Sequence, residues 1–274
     1  MRKLISYIRL GLTAGLAVIY YYLFYFAKFN RHPEKYSMEY RYKKVRKLVI
    51  YVLKCFRVDF HVDGYDKFLD LQEKCLIVSN HQSDADPLVM IAQHEKPITF
   101  IAKKEAFEFP FIGPALRCLE GFSLDRENLM NQISQIRDIV AHLKDENKPN
   151  LVVYIEGTRN RHPEDACLPF HAGTLKITKM AGVKVVPVQV YGTCRILSKK
   201  HYLKHYPAFI SYNDPIDYNT FEKFESNEEA KRLREDFDKK IDVLRKRDLD
   251  LIYNLKISDK RKASETIIDI KRAS

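Results

Sequence analysis

From residue 57 onward the chain alternates short β-branched and aromatic runs with stretches of helical periodicity. That alternation limits the fold more than any other feature. RVDFHV (57–62), CLIVS (75–79), ITFIAK (98–103), LVVYI (151–155), VKVVPVQV (183–190) and AFISY (208–212) read as strands, and the windows 87–94, 106–119, 127–144 and 172–181 as helices. Strands joined through helices pair by crossover connections, so the expected class is α/β, with a mixed, largely parallel central sheet flanked by helices. Pro187 has no N–H to give a ladder, which places its strand at a sheet edge or at a bulge. Residues 226–255 form a charged helix with Leu233, Phe237, Ile241 and Leu244 at helical spacing, an apolar stripe suited to docking. The remaining tail is polar and expected to fray.

The N-terminus is of another kind. Leu10 to Ala27, LGLTAGLAVIYYYLFYFA, is 18 residues without a formal charge, about the minimum for spanning a hydrocarbon core. Tyr20, Tyr21, Tyr22 and Tyr25 suit the headgroup level. Lys28, Arg31, Lys35, Arg41, Lys43, Lys44, Arg46 and Lys47 follow, against Arg2, Lys3 and Arg9 before. By the positive-inside bias the downstream domain faces the cytoplasm, at the cell membrane. Residues 4–27 either span the bilayer or dip into one leaflet. Residues 38–55 join basic residues to an apolar half, as a helix against anionic headgroups would, or as a helix packed on the domain would. The expected organisation is therefore membrane-associated helices over 1–56, an α/β domain over 57–225 and a charged helix and tail over 226–274.

Lys and Arg number 47 against 36 Asp and Glu, a net charge of +11 that favours an anionic partner. Cys55, Cys75, Cys118, Cys167 and Cys194 are scattered and odd in number, without zinc or disulfide spacing, so they read as reduced thiols. No P-loop, zinc-finger spacing or RNA-binding aromatic block points to nucleic acid.

Three polar knots carry the chemistry. In SNHQSDADP, His81 and Asp86 follow a buried strand. Five residues apart on a continuous helix they would lie about 140° from each other, so they meet only if the chain bends, and Asp86-Pro87 supplies a helix start. His81 then sits in a strand-to-helix turn at the carboxyl end of its strand, where open α/β sheets place ligands. A carboxylate facing the imidazole fixes its tautomer and leaves the other nitrogen able to take a proton from a hydroxyl. There is no GxSxG elbow, and no cysteine stands in a recognisable motif, so that hydroxyl belongs to a substrate. Alternatively Asp86 is only a helix cap and His81 a turn residue. A metal would lack an evident third ligand.

In YIEGTRNR, Glu156, Gly157, Thr158 and Arg159 again follow a strand. Gly157 allows close backbone approach, Thr158 offers a hydroxyl, and the Arg159 guanidinium matches a phosphate. A turn with a solvated arginine fits the same residues. In EGFSLDREN, Arg126 precedes a helix, with Asp125 as holder or cap. Lys103 and Lys104 end a strand, and one of them can face an anion.

Taken together and in order, NHQSDAD, GFSLDR, EGTR and VKVVPVQV resemble the four blocks of the glycerolipid acyltransferase family, the 1-acyl-glycerol-3-phosphate acyltransferases of the bacterial membrane type, over roughly residues 57–217. The resemblance implies His81 as general base, Asp86 as its partner, and Arg126 and Arg159 on the acceptor phosphate. It further implies that Glu156, Gly157 and Thr158 shape that pocket, with assistance from Lys104. It implies transfer of an acyl chain from acyl-CoA or acyl-carrier protein to lysophosphatidic acid, giving phosphatidic acid, beside membrane lipids and with no metal or other cofactor. The family's second block usually has Phe where this chain has Ser123, and its third usually begins Phe-Pro where this chain has Tyr154-Ile155. Backbone N–H groups near the 81–87 turn are expected to stabilise the oxyanion. Rival readings are an acyltransferase for another acceptor, glycerol-3-phosphate or another lysophospholipid; a non-catalytic basic protein of membrane or nucleic-acid surfaces; and a serine- or metallo-hydrolase.

Overall fold

The protein is described from a computed structural model, covering residues 10–124, 129–197, 205–222 and 226–253. In chain order the elements are α1 (Gly11–Arg31), α2 (Met38–Cys55), β1 (Val58–Asp63), α3 (Tyr65–Asp70), β2 (Cys75–Ser79), α4 (Asp86–Gln93), β3 (Ile98–Lys103), α5 (Ile112–Cys118), β4 (Phe122–Leu124), α6 (Leu129–Lys144), β5 (Asn150–Tyr154), α7 (Ala172–Ala181), β6 (Lys184–Tyr191), β7 (Tyr206–Tyr212) and α8 (Ser226–Tyr253). The α/β class holds. The six expected strands and the main helices are present, joined by β4 and α3, whose short runs carry little periodicity. The chain divides into two compact units, Met1–Phe56 with Leu88–Val152, and Arg57–Pro87 with Val153–Ser274.

In the first unit β3 lies between β5 and β4, parallel to both. α1 is the one helix among the described residues long and apolar enough to cross a membrane. Phe26 and Phe29 are buried, while Leu12, Leu16, Leu23 and Phe24 stay more than half exposed. The Ser37 hydroxyl accepts from the Tyr40 N–H and caps α2. α2 is packed on the domain by its apolar face: Tyr42, Val45, Leu48, Val49 and Leu53 are buried, and the Tyr42 hydroxyl donates to the carbonyls of Ile91 and His94. Buried Arg41 pairs with Glu120 and donates to the Cys118 carbonyl, so part of the basic collar is structural.

In the second unit the strand order is β1-β7-β6-β2. β1 runs parallel to β7, β7 antiparallel to β6, and β6 parallel to β2. Every residue of β2 is buried, as are Val185 to Val190 of β6, which is why these two runs read as apolar without alternation. β6 has a neighbour on each side, so of the edge and the bulge that Pro187 left open, the edge is ruled out. Between the Val188–Tyr212 pair and the Val185–Ile216 bridge lie Val186 and Pro187 on β6, but Asn213, Asp214 and Pro215 opposite. The extra residue bulges the partner chain, where Pro187 has no N–H to pair, and the Asn213 N–H instead donates to the Pro187 carbonyl at 3.0 Å. The stripe on α8 docks as its spacing predicts: Leu233, Phe237, Ile241 and Leu244 are all buried, and Phe237 meets the Phe170 ring edge-on at 5.0 Å.

Candidate active site

The site is built at the carboxyl end of β2. Beyond Ser79 the Asn80 side chain replaces one rung of the ladder: Nδ2 donates to the Val190 carbonyl at 2.9 Å and Oδ1 accepts from the Val190 N–H at 2.8 Å. This fixes where His81 leaves the sheet. Its N–H donates to Glu156 Oε1 at 2.7 Å, and its carbonyl accepts from the Asn160 N–H at 2.7 Å. The backbone of His81 is thus clamped from the loop that follows β5.

The turn brings His81 Nδ1 to 2.7 Å from Asp86 Oδ2. The same oxygen accepts the N–H groups of Gln82 and Ser83 at 2.7 and 2.9 Å, and Oδ1 accepts the Thr193 hydroxyl. A capping side chain accepts from residues that follow it; this carboxylate accepts from residues that precede it. Asp86 is therefore a clasp on the turn and the imidazole, beyond starting α4. Its side chain is 0% exposed and that of His81 16%. The charge is enclosed while the ring is reachable. With Nδ1–H donated to the carboxylate, the lone pair lies on Nε2, the arrangement of a general base. Tyr154 stacks on the ring at 4.2 Å and 19°, holding its plane. Burial pushes the Tyr154 phenol well above its ordinary range, so it is neutral.

Gly157 has φ +66°, a left-handed conformation that a side chain would strain. Glu156 turns inward beneath it, 3% exposed. Its second oxygen accepts from the Leu168 N–H at 2.8 Å. Burial raises its pKa despite the two N–H groups, which favour the ionised form. The carboxylate acts as a brace between the His81 and Leu168 amides. Arg159 is exposed and ion-paired with exposed Asp84 of the His81 turn, so the loop's guanidinium is kept beside the imidazole's own turn. Thr158 is exposed next to it. Replacing Glu156 by Gln puts an amide against one of two N–H donors. We expect a loss of about 1–3 kcal/mol in the unfolding free energy from urea titration, the usual cost of a buried polar group left unpaired.

The structure thus joins His81, Asp86, Glu156, Gly157 and Arg159 within one unit. Lys104 is exposed at the start of a helical turn, Lys104–Phe107, in the other unit. Arg126 and Asp125 lie outside the described residues. Of the amides around this turn, those of residues 81, 82, 83, 85 and 86 are engaged, by Glu156, Asp86, Asp86, the Ser83 hydroxyl and the Ser83 carbonyl respectively, so an oxyanion donor near the turn would be another amide. Sequence reasoning missed Thr193, Tyr154 as a stacking partner, and Asp84 as the mate of Arg159. Cys194 adjoins Thr193, but burial pushes its thiol up to about 11, and those of Cys75 and Cys118 to about 12, leaving no thiolate among these three near neutral pH. The ligand atoms of His162, Glu164 and Asp165 lie within 4.8 Å of one another. Such acidic groupings are common on surfaces without a cation.

Residues 59–191 match the family model described as Acyltransferase. A 1-acyl-sn-glycerol-3-phosphate acyltransferase of Helicobacter pylori is 37% identical over 125 residues, 46% of this chain and 52% of that protein, so the match spans about half of that relative. A probable 1-acyl-sn-glycerol-3-phosphate acyltransferase of Mycoplasma pneumoniae is 27% identical over 73% of this chain and 78% of its own. The crystal structure of the 1-acyl-sn-glycerophosphate (LPA) acyltransferase of Thermotoga maritima shares the fold, with a TM-score of 0.68 at 23% identity, over 89% of this chain and 98% of that one. His81, Asp86 and the Glu156–Arg159 loop all fall inside the residues that match the acyltransferase model.

Proposed function

We propose that this protein transfers an acyl chain from a thioester, acyl-CoA or acyl-carrier protein, to the sn-2 hydroxyl of 1-acyl-glycerol-3-phosphate, giving phosphatidic acid. The observation that carries the reading is the 2.7 Å contact between His81 Nδ1 and a fully enclosed Asp86, with Arg159 paired into the same turn. The acceptor hydroxyl gives its proton to His81 Nε2 as its oxygen forms a bond to the thioester carbonyl carbon. The resulting oxyanion collapses, the C–S bond breaks, and the departing thiolate takes the proton back from the imidazolium. The thioester is already activated, so no acyl-enzyme is needed. Arg159 exchanges Asp84 for the acceptor phosphate; Arg126 and Lys104 are assigned to that phosphate by the family resemblance. Holding both reactants in line removes much of the entropic barrier. Glu156, Gly157 and Thr158 shape the loop that presents Arg159.

The catalytic domain, 57–225, works at the cytoplasmic face of the cell membrane. Residues 1–56 associate with membrane lipids, and 226–274 form a docked helix with a charged tail. The acceptor is amphipathic, with its tail in the bilayer and its phosphate at the surface, which matches an apolar helix joined to a basic collar. Neither a metal nor nucleic acid takes part.

The test is an acceptor panel. Purified full-length protein is given one labelled acyl thioester with lysophosphatidic acid, glycerol-3-phosphate or lysophosphatidylcholine. Product is expected with lysophosphatidic acid, and Arg159→Ala should raise its KM about tenfold, the lower end of what hydrogen bonds to a charged group contribute. Equal use of lysophosphatidylcholine, or an unchanged KM in that variant, would refute the acceptor assignment.

A further inference from the structure

Asp86 Oδ1 is held by a side chain from the turn that follows β6, the parallel neighbour of β2. We propose that Thr193 is a positioning residue for the transfer: its hydroxyl keeps Oδ1 in place so that Oδ2 stays on His81. This rests on the reading of His81 as base and Asp86 as its partner.

The carboxylate and Thr193 are both 0% exposed, so water does not substitute for the hydroxyl. Oδ2 already takes three donors, Nδ1 of His81 and the N–H groups of Gln82 and Ser83, while Thr193 Oγ1 donates to Oδ1. A buried carboxylate oxygen left bare turns toward the nearest donors, and the two oxygens of one carboxylate turn together. Rotation that relieves Oδ1 therefore withdraws Oδ2 from the imidazole.

Thr193 is delivered to this point by a turn that several contacts define. Gly192 before it has φ +85°, and a Cβ there would stand 2.6 Å from the Pro207 carbonyl oxygen. The Gly192 N–H donates to Gln82 Oε1 at 3.2 Å, tying the turn directly to the residue after His81. Arg195 after it is 3% exposed, donates through Nε to the Gly192 carbonyl at 3.3 Å, and makes a two-armed pair with Asp248 of α8 at 2.8 and 2.6 Å. The hydroxyl on Asp86 is thus held from the sheet, from the His81 turn and from the C-terminal helix.

Thr193→Val keeps the shape and removes the donor, and Thr193→Ser keeps the donor and removes the methyl. Both are compared with wild type and His81→Ala in the full chain, with acyl-CoA and lysophosphatidic acid. Thr193→Val is expected to lower kcat on the order of 10²-fold, as a small misplacement of a reacting group does, with little change in either KM. Thr193→Ser should recover most of it. Nitrogen NMR of histidine-labelled protein supplies a readout that stability does not move. The His81 ring, assigned by its loss in His81→Ala, should show one protonated Nδ1 and one bare Nε2 in wild type and Thr193→Ser, and mixed tautomers in Thr193→Val. Wild-type kcat in Thr193→Val, an equal fall in Val and Ser variants, or a fall with unchanged His81 signals would each overturn the proposal. Wild-type kcat in His81→Ala would instead overturn the base assignment beneath it.

Discussion

Replacing His81 by alanine is expected to lower the rate of acyl transfer by about 10²- to 10⁴-fold, the range general base catalysis supplies, while leaving the fold intact. The fold should survive because the clamps on this residue are backbone groups. Its N–H goes to Glu156 and its carbonyl to Asn160, and alanine keeps both. The cost to stability is the ring's stacking on Tyr154 and its contact with Asp86, which retains the donors from Gln82, Ser83 and Thr193. Asp86→Ala should also abolish most transfer, but by a different route. It unclasps the turn, so its circular dichroism melt should fall where that of His81→Ala barely moves. Initial rates of phosphatidic acid formation, taken beside thermal melts, separate the two effects.

The largest expected loss of stability lies away from the chemistry. Arg195 and Asp248 are 3% and 4% exposed in their side chains and paired through two hydrogen bonds. Asp248→Ala leaves a guanidinium buried without its charge partner, which costs about 3–5 kcal/mol. Replacing both by apolar residues, Arg195→Met with Asp248→Leu, should recover much of that, because a buried ion pair gains little over packing once its desolvation is counted. Urea unfolding of the single and double variants measures the difference. A single variant as stable as wild type would mean that α8 does not hold the Gly192–Arg195 turn.

What could be read from the chain follows from how local each constraint is. β2, β3 and α7 were legible to the residue because apolar runs and glycine stops mark them without tertiary help. The meeting of His81 and Asp86 was legible because Asp86-Pro87 dictates the bend. What sequence left open was the direction of the carboxylate, toward the helix or back toward the turn, and four donors settle it. Thr193, 107 residues away from Asp86, carries no local signal and enters only through the β2–β6 pairing. Pro187 left an edge and a bulge equally open, and only the pairing, in which the opposite chain bulges, decides between them. Five amides of the turn, at residues 81, 82, 83, 85 and 86, hold the turn itself, a use that their sequence does not announce.

The claim at the centre is that His81 activates the lipid hydroxyl directly, with no acyl group ever resting on the protein. A single turnover of full-length enzyme with labelled acyl thioester, quenched in acid and resolved by mass spectrometry of lipid and protein together, tests it. The account predicts label passing from thioester to phosphatidic acid in wild type, no acylated peptide at any time, and almost no transfer by His81→Ala. An acylated serine, threonine or cysteine peptide that forms first and then empties into the lipid would contradict it.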